Sequence, residues 1–545
     1  MPLDPALNLT GDPNVVKVSA TDVSGTCECG RFLGLKTRPN VKVIDGWQKL
    51  FPQGDRAPFP LGDIVDLLAE ADGQEFTTYE AQSSWLAEAI DRRGVHRLVR
   101  PYITVAVENI LETHESIESE VGRLRLLATN PQAGTSNRKL TAWAPLYRTD
   151  DGIREIRKFR LGSVRADEES MRWALIGAYV AAEYRGGSPP HRVRVIEIGA
   201  VDGSFKVLFD DTAAEARSRF HARGKELARA AAENDHVVTC HSCGDCKTAG
   251  SCRAPIRVDG VLKQSGRGYS SRSVSAKDLD QYAQCPAQWL LYSELHLPSD
   301  YEGGDGSARG LAVHKWLRAA HAHGVSCADA DLPQPGRGLG PAEGILTEEE
   351  YETAYPFLVQ HSRQCPLGGD AVLVLADENV YGYDHHAEVV PAIRPDLMYR
   401  VGDRLVIREF KTAEQPYEAG RDEAYNGFLQ VPFSIGMLKE GLIQHYGATS
   451  GTVEFELITR SQAFVWTWEV DSPAITNVAA GDVARAVTNW HADHTWATMP
   501  GPHCAWCPVR RWCLDSDAWQ SQTPAGATLA IVGTYTGPDN SEAPF

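Results

Sequence analysis

Nowhere in its 545 residues does the chain run apolar for the roughly 20 positions that a membrane-spanning helix needs. No membrane role is expected. It also has no G-x-x-x-x-G-K-[ST] loop, so no ATP-driven motor is built into it. The opening Met1-Pro-Leu-Asp-Pro has neither the basic nor the apolar stretch of a secretory signal, and the expected compartment is a reducing cytoplasm. Positive charge is short as well: 54 Lys and Arg stand against 72 Asp and Glu, a net charge of −18. A globally acidic surface repels phosphates, so any nucleic-acid binding has to rest on local basic patches or on bound cations. One such stretch is Arg253, Arg257, Lys263, Arg267 and Arg272. Acidity also fits a subunit that meets a more basic partner.

What is present is chemistry of a particular kind. Leu405-Val-Ile-Arg-Glu-Phe-Lys411 reads as a short strand entered through the turn Gly402-Asp403. Alternate side chains of a strand share a face, so Glu409 and Lys411 project together. Asp396, after Pro395, lies across the turn and approaches Glu409 from the neighbouring strand. Two crowded carboxylates need a cation between them, and oxygen ligands suit Mg²⁺ or Mn²⁺. His314, on a helix read over Ala308 to His323, adds an imidazole that shifts the preference towards Mn²⁺. Lys411 is then placed to orient or deprotonate an attacking water and to offset charge on a phosphate. Each piece alone is commonplace; their order within one domain-sized segment carries the weight.

Twelve cysteines without a secretory context point to metal or cluster ligation rather than to disulfides. Cys504, Cys507 and Cys513 form C-x2-C-x5-C, and Cys285 stands in Ser275-Ala-Lys-Asp-Leu-Asp-Gln-Tyr-Ala-Gln-Cys285-Pro286 more than 200 residues earlier. Four thiolates satisfy either zinc or a 4Fe–4S cluster. The ordered set, one cysteine, then His314, Pro395-Asp396 and Glu409-Phe-Lys411, then the three cysteines, resembles the iron–sulphur RecB/AddB-type nucleases of the PD-(D/E)XK superfamily, whose relatives include CRISPR-associated adaptation nucleases. That resemblance favours the cluster over zinc, held by Cys285, Cys504, Cys507 and Cys513. It implies a metal set of His314, Asp396, Glu409 and the main chain of Phe410. It also implies catalytic roles for Asp396, Glu409, Lys411 and Gln430, the last on a helix read over Ala424 to Tyr446. Where the family often has a Tyr four residues after the Gln, this chain has Ser434.

The N-terminal half repeats the plan in faded form. Val18 to Cys29 aligns without gaps on Val274 to Cys285, and Cys243, Cys246 and Cys252 repeat the C-x2-C-x5-C spacing. Cys29, Cys243, Cys246 and Cys252 are therefore a candidate second cluster or a zinc site. Val95-His96-Arg-Leu-Val-Arg100 parallels Val313-His314-Lys-Trp-Leu-Arg318. Ile156-Arg-Lys-Phe-Arg160 stands where Ile407-Arg-Glu-Phe-Lys411 stands in the second half, with Ala144 and Pro145 in the region of Asp396. Lys158 in place of a metal-ligating carboxylate removes the metal site. Arg157, Lys158 and Arg160 are left as phosphate contacts or a solvated basic strand.

The expected fold is α/β: two tandem restriction-endonuclease-like domains, each a central mixed sheet flanked by helices with a four-Cys staple. The boundaries are 1–258 for the degenerate domain, 259–272 for a Gly/Ser-rich linker, 273–516 for the nuclease domain and 517–545 for a flexible tail. The expected function is metal-dependent hydrolysis of phosphodiester bonds in single-stranded DNA or DNA ends, in defence or DNA repair, alongside a helicase or another protein subunit. The alternatives are a non-catalytic nuclease-like scaffold or DNA-binding subunit of such a complex, and a zinc-bound nucleic-acid-binding protein.

Overall fold

The computed structural model describes residues 7–25, 29–44, 59–74, 76–266, 268, 273–299, 305–327, 332–414 and 420–516. In the first half, β1 (Val16–Ser19) runs into α1 (Ala20–Ser24), and Ser19 and Asp22 close a reciprocal capping box that fixes the helix start. After α2 (Arg100–Val121) come β2 (Arg125–Ala128), β3 (Gln132–Gly134), β4 (Arg138–Thr141), β5 (Leu146–Arg148), β6 (Ile153–Arg160), α3 (Glu168–Glu183), β7 (Arg192–Gly199) and β8 (Phe205–Thr212). The main sheet has the order β2-β5-β6-β7-β8, antiparallel except for the β6/β7 step. That parallel step requires a crossover, which α3 supplies. β1 pairs with β4 in a small sheet with β3.

The second half follows the same order of events. β9 (Ile256–Arg257) precedes β10 (Ser273–Ser275), which runs into α4 (Ala276–Gln284) through a capping box of Ser275 and Asp278. Then come α5 (Asp305–His321), α6 (Glu348–Ser362), β11 (Ala371–Leu375), β12 (Val380–Tyr383), β13 (Val390–Ile393), β14 (Leu397–Val401), β15 (Arg404–Thr412), α7 (Arg421–Gly427), α8 (Gln430–Met437), β16 (Ser450–Ile458), β17 (Ala463–Glu469) and α9 (Pro473–Ala492). The main sheet, β11-β14-β15-β16-β17, is again antiparallel except for one step, β15/β16, bridged by α7 and α8. β10 pairs in parallel with β13, as β1 does with β4. Leu405, Val406 and Ile407 are all buried, as expected of a central strand covered on both faces.

One apolar core surrounds α3 and another lies between α5, α6 and the second sheet. A third draws on both halves, and there Tyr102 of α2 meets Trp512 edge-on, ring centres 5.1 Å apart. The halves therefore share buried surface.

Several local readings differ from the sequence expectation. The helix read over 424–446 is interrupted at Phe428-Leu429, and Pro432 sits in the first turn of α8, where its missing N–H costs nothing. Beyond Met437 the helix widens to π geometry at Leu438–Leu442. The linker region is anchored at its start: β9 pairs with β12, Val258, Val261 and Leu262 are buried, and the N–H groups of Gly260 and Leu262 donate to the Asp384 carboxylate at 2.9 and 3.0 Å. In the basic stretch Arg257 is paired with Asp259 and Lys263 with Glu440, while Arg267 and Arg272 lie outside the described residues. The tail 517–545 also lies outside them.

Candidate active site and cysteine pockets

The turn at Gly402-Asp403, with Gly402 at φ +57°, folds β14 back on β15 so that Leu397 pairs with Arg408. One step further out, Asp396 stands opposite Glu409. The Asp396 carboxylate accepts the Phe410 N–H at 2.7 Å and lies 2.8 Å from Nδ1 of His314, which the middle of α5 presents. Glu409 is buried, and Lys411, two residues on, is half-buried with its ammonium 5.8 Å from the centre of the Phe428 ring. His314, Asp396, Glu409 and Lys411 thus converge at one end of β15.

The electrostatics are those of carboxylates held together against their repulsion. Burial and the neighbouring Asp396 charge push Glu409 well above the usual carboxylate range, and Lys411 offsets this only in part. Burial acts on Asp396 as well, but His314, Lys411 and the Phe410 N–H outweigh it and hold the group below its ordinary value. One acid of the pair is therefore ionised and the other resists ionisation, the state expected where a cation belongs between them. Gln430 opens α8 two residues after Phe428, half-buried, and its side-chain oxygen has no hydrogen-bond partner. Two crowded carboxylates, with an imidazole and a main-chain group at hand, are a donor set that fits a hard divalent cation. Ser434, four residues after Gln430, is buried and supplies no phenol.

The corresponding end of β6 is chemically different. Ala144 stands where Asp396 does, and the Arg157 N–H donates to the Pro145 carbonyl. The cations read there as phosphate contacts or a solvated strand are neither: Arg157, Lys158 and Arg160 are buried and paired. Lys158 Nζ lies 3.0 Å and Arg160 Nε 2.6 Å from Oε1 of the fully buried Glu197 on β7, and Ser170 of α3 donates to the same carboxylate. Arg157 bonds Glu155 at 2.7 Å and Nδ1 of His114 at 2.8 Å, with its guanidinium over the Tyr147 ring. Burial, followed by the Arg157 charge, pushes His114 down to about 4, so the ring is a neutral acceptor. His96, read as the counterpart of His314, instead caps a 3-10 turn at Arg97–Val99 and packs on Trp496. The helix begins after it, so it cannot project from a helix face.

Cys285, Cys504, Cys507 and Cys513 line one cavity, with Cys285 and Cys504 buried. Burial pushes the Cys507 thiol up to about 12, and charge on Cys285, Cys513 or Cys504 would push it further. Cys29, Cys243, Cys246 and Cys252 line a second cavity together with Cys240. Burial raises the Cys246 thiol, with Cys252 and Cys29 acting in the same direction. In both places thiols distant in sequence meet, the donor chemistry that a soft metal centre needs.

The family model of the PD-(D/E)XK nuclease superfamily matches residues 273–514, so the second half carries a domain of that superfamily. No curated protein matches the chain. No described helix is long and apolar enough to cross a membrane.

Sequence reading passed over three features. Asp280 of α4 lies within electrostatic reach of Lys411, its carboxyl pushed up to about 7 by burial, which Lys411 partly counters. Asp377 interacts with Asp396 and His314 and is paired with Arg394 at 2.8 Å and Arg318 at 3.6 Å. The third is a group of two histidines and two cysteines, His321-x5-Cys327 and His361-x3-Cys365, brought together from α5, α6 and the loops that follow them. Asp280 and Asp377 carry no motif; the paired His/Cys spacings were the available signal for the third.

Proposed function

We propose that the second half is a metal-dependent deoxyribonuclease acting on single-stranded DNA or DNA ends. The observation that carries this reading is the meeting of Asp396, Glu409, Lys411 and His314 at one end of β15 within the superfamily segment. Asp396, Glu409, His314 and the main chain of Phe410 would hold Mg²⁺ or Mn²⁺, which when bound supplies Lewis acidity and a more acidic water. Lys411 orients the attacking water and offsets charge growing on the phosphate. Gln430, with its side-chain oxygen unpartnered, offers a polar contact to substrate. The four thiols around Cys285 would hold a 4Fe–4S cluster that staples the two ends of the domain; those around Cys29 would hold a second cluster or zinc.

The first half is read as a duplicate that lost cleavage. The identical strand order of the two main sheets, the matching capping boxes and the matching cysteine cavities support duplication. The Lys158–Glu197–Arg160 network supports the loss, since ammonium and guanidinium groups there neutralise what carboxylates and metal would occupy. A role in defence or repair, a helicase or other protein partner and a cytoplasmic setting belong to the same proposal. Mn²⁺-supported digestion of single- and double-stranded DNA by the wild type and by Lys411→Ala tests it. Metal-dependent cleavage lost in the folded variant supports the nuclease; a wild type that binds DNA without cutting it leaves the scaffold reading.

A further inference from the structure

Around Phe410, whose side chain leaves β15 on the face opposite Glu409 and Lys411, four side chains outside the site described above converge on one point. Nε2 of His321 lies 3.3 Å from Nε2 of His361, 3.1 Å from Sγ of Cys327 and 3.6 Å from Sγ of Cys365, and all four donor atoms fall within 4.8 Å of one another. Both imidazoles are fully buried, Cys327 is buried and Cys365 half-buried. Hydrogen bonding does not account for this packing. A single imidazole nitrogen carries either one proton or one lone pair, yet this one faces a second imidazole nitrogen and two sulphurs. A cation at the centre satisfies all four at once.

The spacing fits zinc. Tetrahedral zinc with Zn–N of about 2.0–2.1 Å and Zn–S of about 2.3 Å places its nitrogens about 3.3 Å apart and a nitrogen and a sulphur about 3.5 Å apart. The contacts at 3.3, 3.1 and 3.6 Å follow that outline. A two-iron centre with two imidazoles would put histidines and cysteines on different irons, further apart than these. The surroundings match a structural site. Nδ1 of His361 lies 2.9 Å from the buried Glu456 carboxylate, which fixes the tautomer that leaves Nε2 free to ligate, and Arg408 holds Glu456 at 3.1 Å. The Phe410 ring packs on both imidazoles, with centre distances of 5.9 and 5.0 Å, and closes the site from the sheet side.

We propose that His321, Cys327, His361 and Cys365 bind one structural Zn²⁺ ion that clamps α5 and α6 onto β15 and β16. His321 lies two helical turns beyond His314 on α5, so the clamp fixes the helix that presents His314 to Asp396. The clamp itself does not depend on the nuclease reading.

The test is metal analysis of the full chain with X-ray absorption at the zinc edge, in wild type, Cys365→Ser and Cys507→Ser. The expected wild-type spectrum includes a zinc shell of two nitrogens and two sulphurs. Cys365→Ser should lose about one zinc equivalent, and Cys507→Ser should keep that equivalent. Zinc ligated by sulphur alone, a folded wild type without zinc, or a Cys327–Cys365 disulfide in protein purified under reducing conditions would overturn the proposal. If Cys365→Ser does not fold, the wild-type spectrum alone decides. A wild type that shows the zinc shell but cleaves no DNA would count against the nuclease reading and leave the zinc site standing.

Discussion

Glu197→Gln should destabilise the first half by about 3–5 kcal/mol, although the residue is remote from Asp396 and Glu409. Glu197 is fully buried, and burial alone would raise its pKa. The Ser170 hydroxyl, the Ala166 N–H, Lys158 and Arg160 together overcome that and hold it at about 2, against an ordinary 4.5. The gap of about 2.5 pH units, at about 1.4 kcal/mol per unit, corresponds to about 3–4 kcal/mol at neutral pH. Because the folded-state value is depressed, this stability is present above pH 4.5 and is lost as pH falls towards 2. An independent expectation agrees: removing one partner from a buried ion pair costs about 3–5 kcal/mol, since the other charge stays buried. For a domain of this size that lowers the midpoint by roughly 6–20 °C. Urea and thermal unfolding of the full chain should show the loss, while Arg229→Gln, which breaks an exposed pair with Glu233, should leave the transition in place. A Glu197→Gln protein within 1 kcal/mol of wild type would refute the view that side-chain cations have taken over as the structural centre of this half.

How much of this was legible in the sequence depended on distance along the chain. The β14–β15 hairpin could be read because its turn, its alternation and its two charged residues lie within a few positions of one another. The capping boxes went unread although they are equally local: Ser19/Asp22 and Ser275/Asp278 occupy matching positions in the two aligned segments. The Lys158–Glu197 pair was missed because its partners are 39 residues apart, joined only by the β6/β7 register. A basic run on a strand gives no sign of buried carboxylates on the next one. The zinc group was hidden for a related reason: its histidines lie on separate helices, its cysteines in the loops after them, and neither His/Cys pair contains C-x-x-C. His96 misled in the opposite way, since a local match of Val-His-x-x-x-Arg cannot say where a helix starts.

The remaining predictions concern catalysis, the cysteine cavity, pH and the shared core. Glu409→Ala or Asp396→Ala should reduce Mn²⁺-dependent hydrolysis by orders of magnitude with circular dichroism unchanged; a folded Glu409→Ala protein that still cuts DNA would sink the site. Anaerobically purified protein should be brown, with about four irons and four sulphides for each cluster, and Cys507→Ser should lose those held by the second half. Asp280→Asn should flatten the pH dependence of stability between about 4 and 7. The folded carboxyl, raised to about 7 by burial, keeps a proton that the unfolded chain releases near 3.8, so rising pH favours unfolding across that window in the wild type. Urea midpoints at pH 5 and 8 check it, and an unchanged difference between them would show that burial does not hold the proton there. Finally, Trp512→Ala should cost about 3–5 kcal/mol, because the side chain is fully buried against Tyr102 and its indole N–H donates to the Pro298 carbonyl at 2.9 Å. Since Tyr102 belongs to α2, the cavity opens in a core that both halves line, and hydrogen exchange should accelerate in α2 as well as around the cavity lined by Cys285, Cys504, Cys507 and Cys513. Faster exchange confined to the second half would mean that the halves meet without stabilising one another, and the first half would then have to act through DNA or a partner rather than through the shared core.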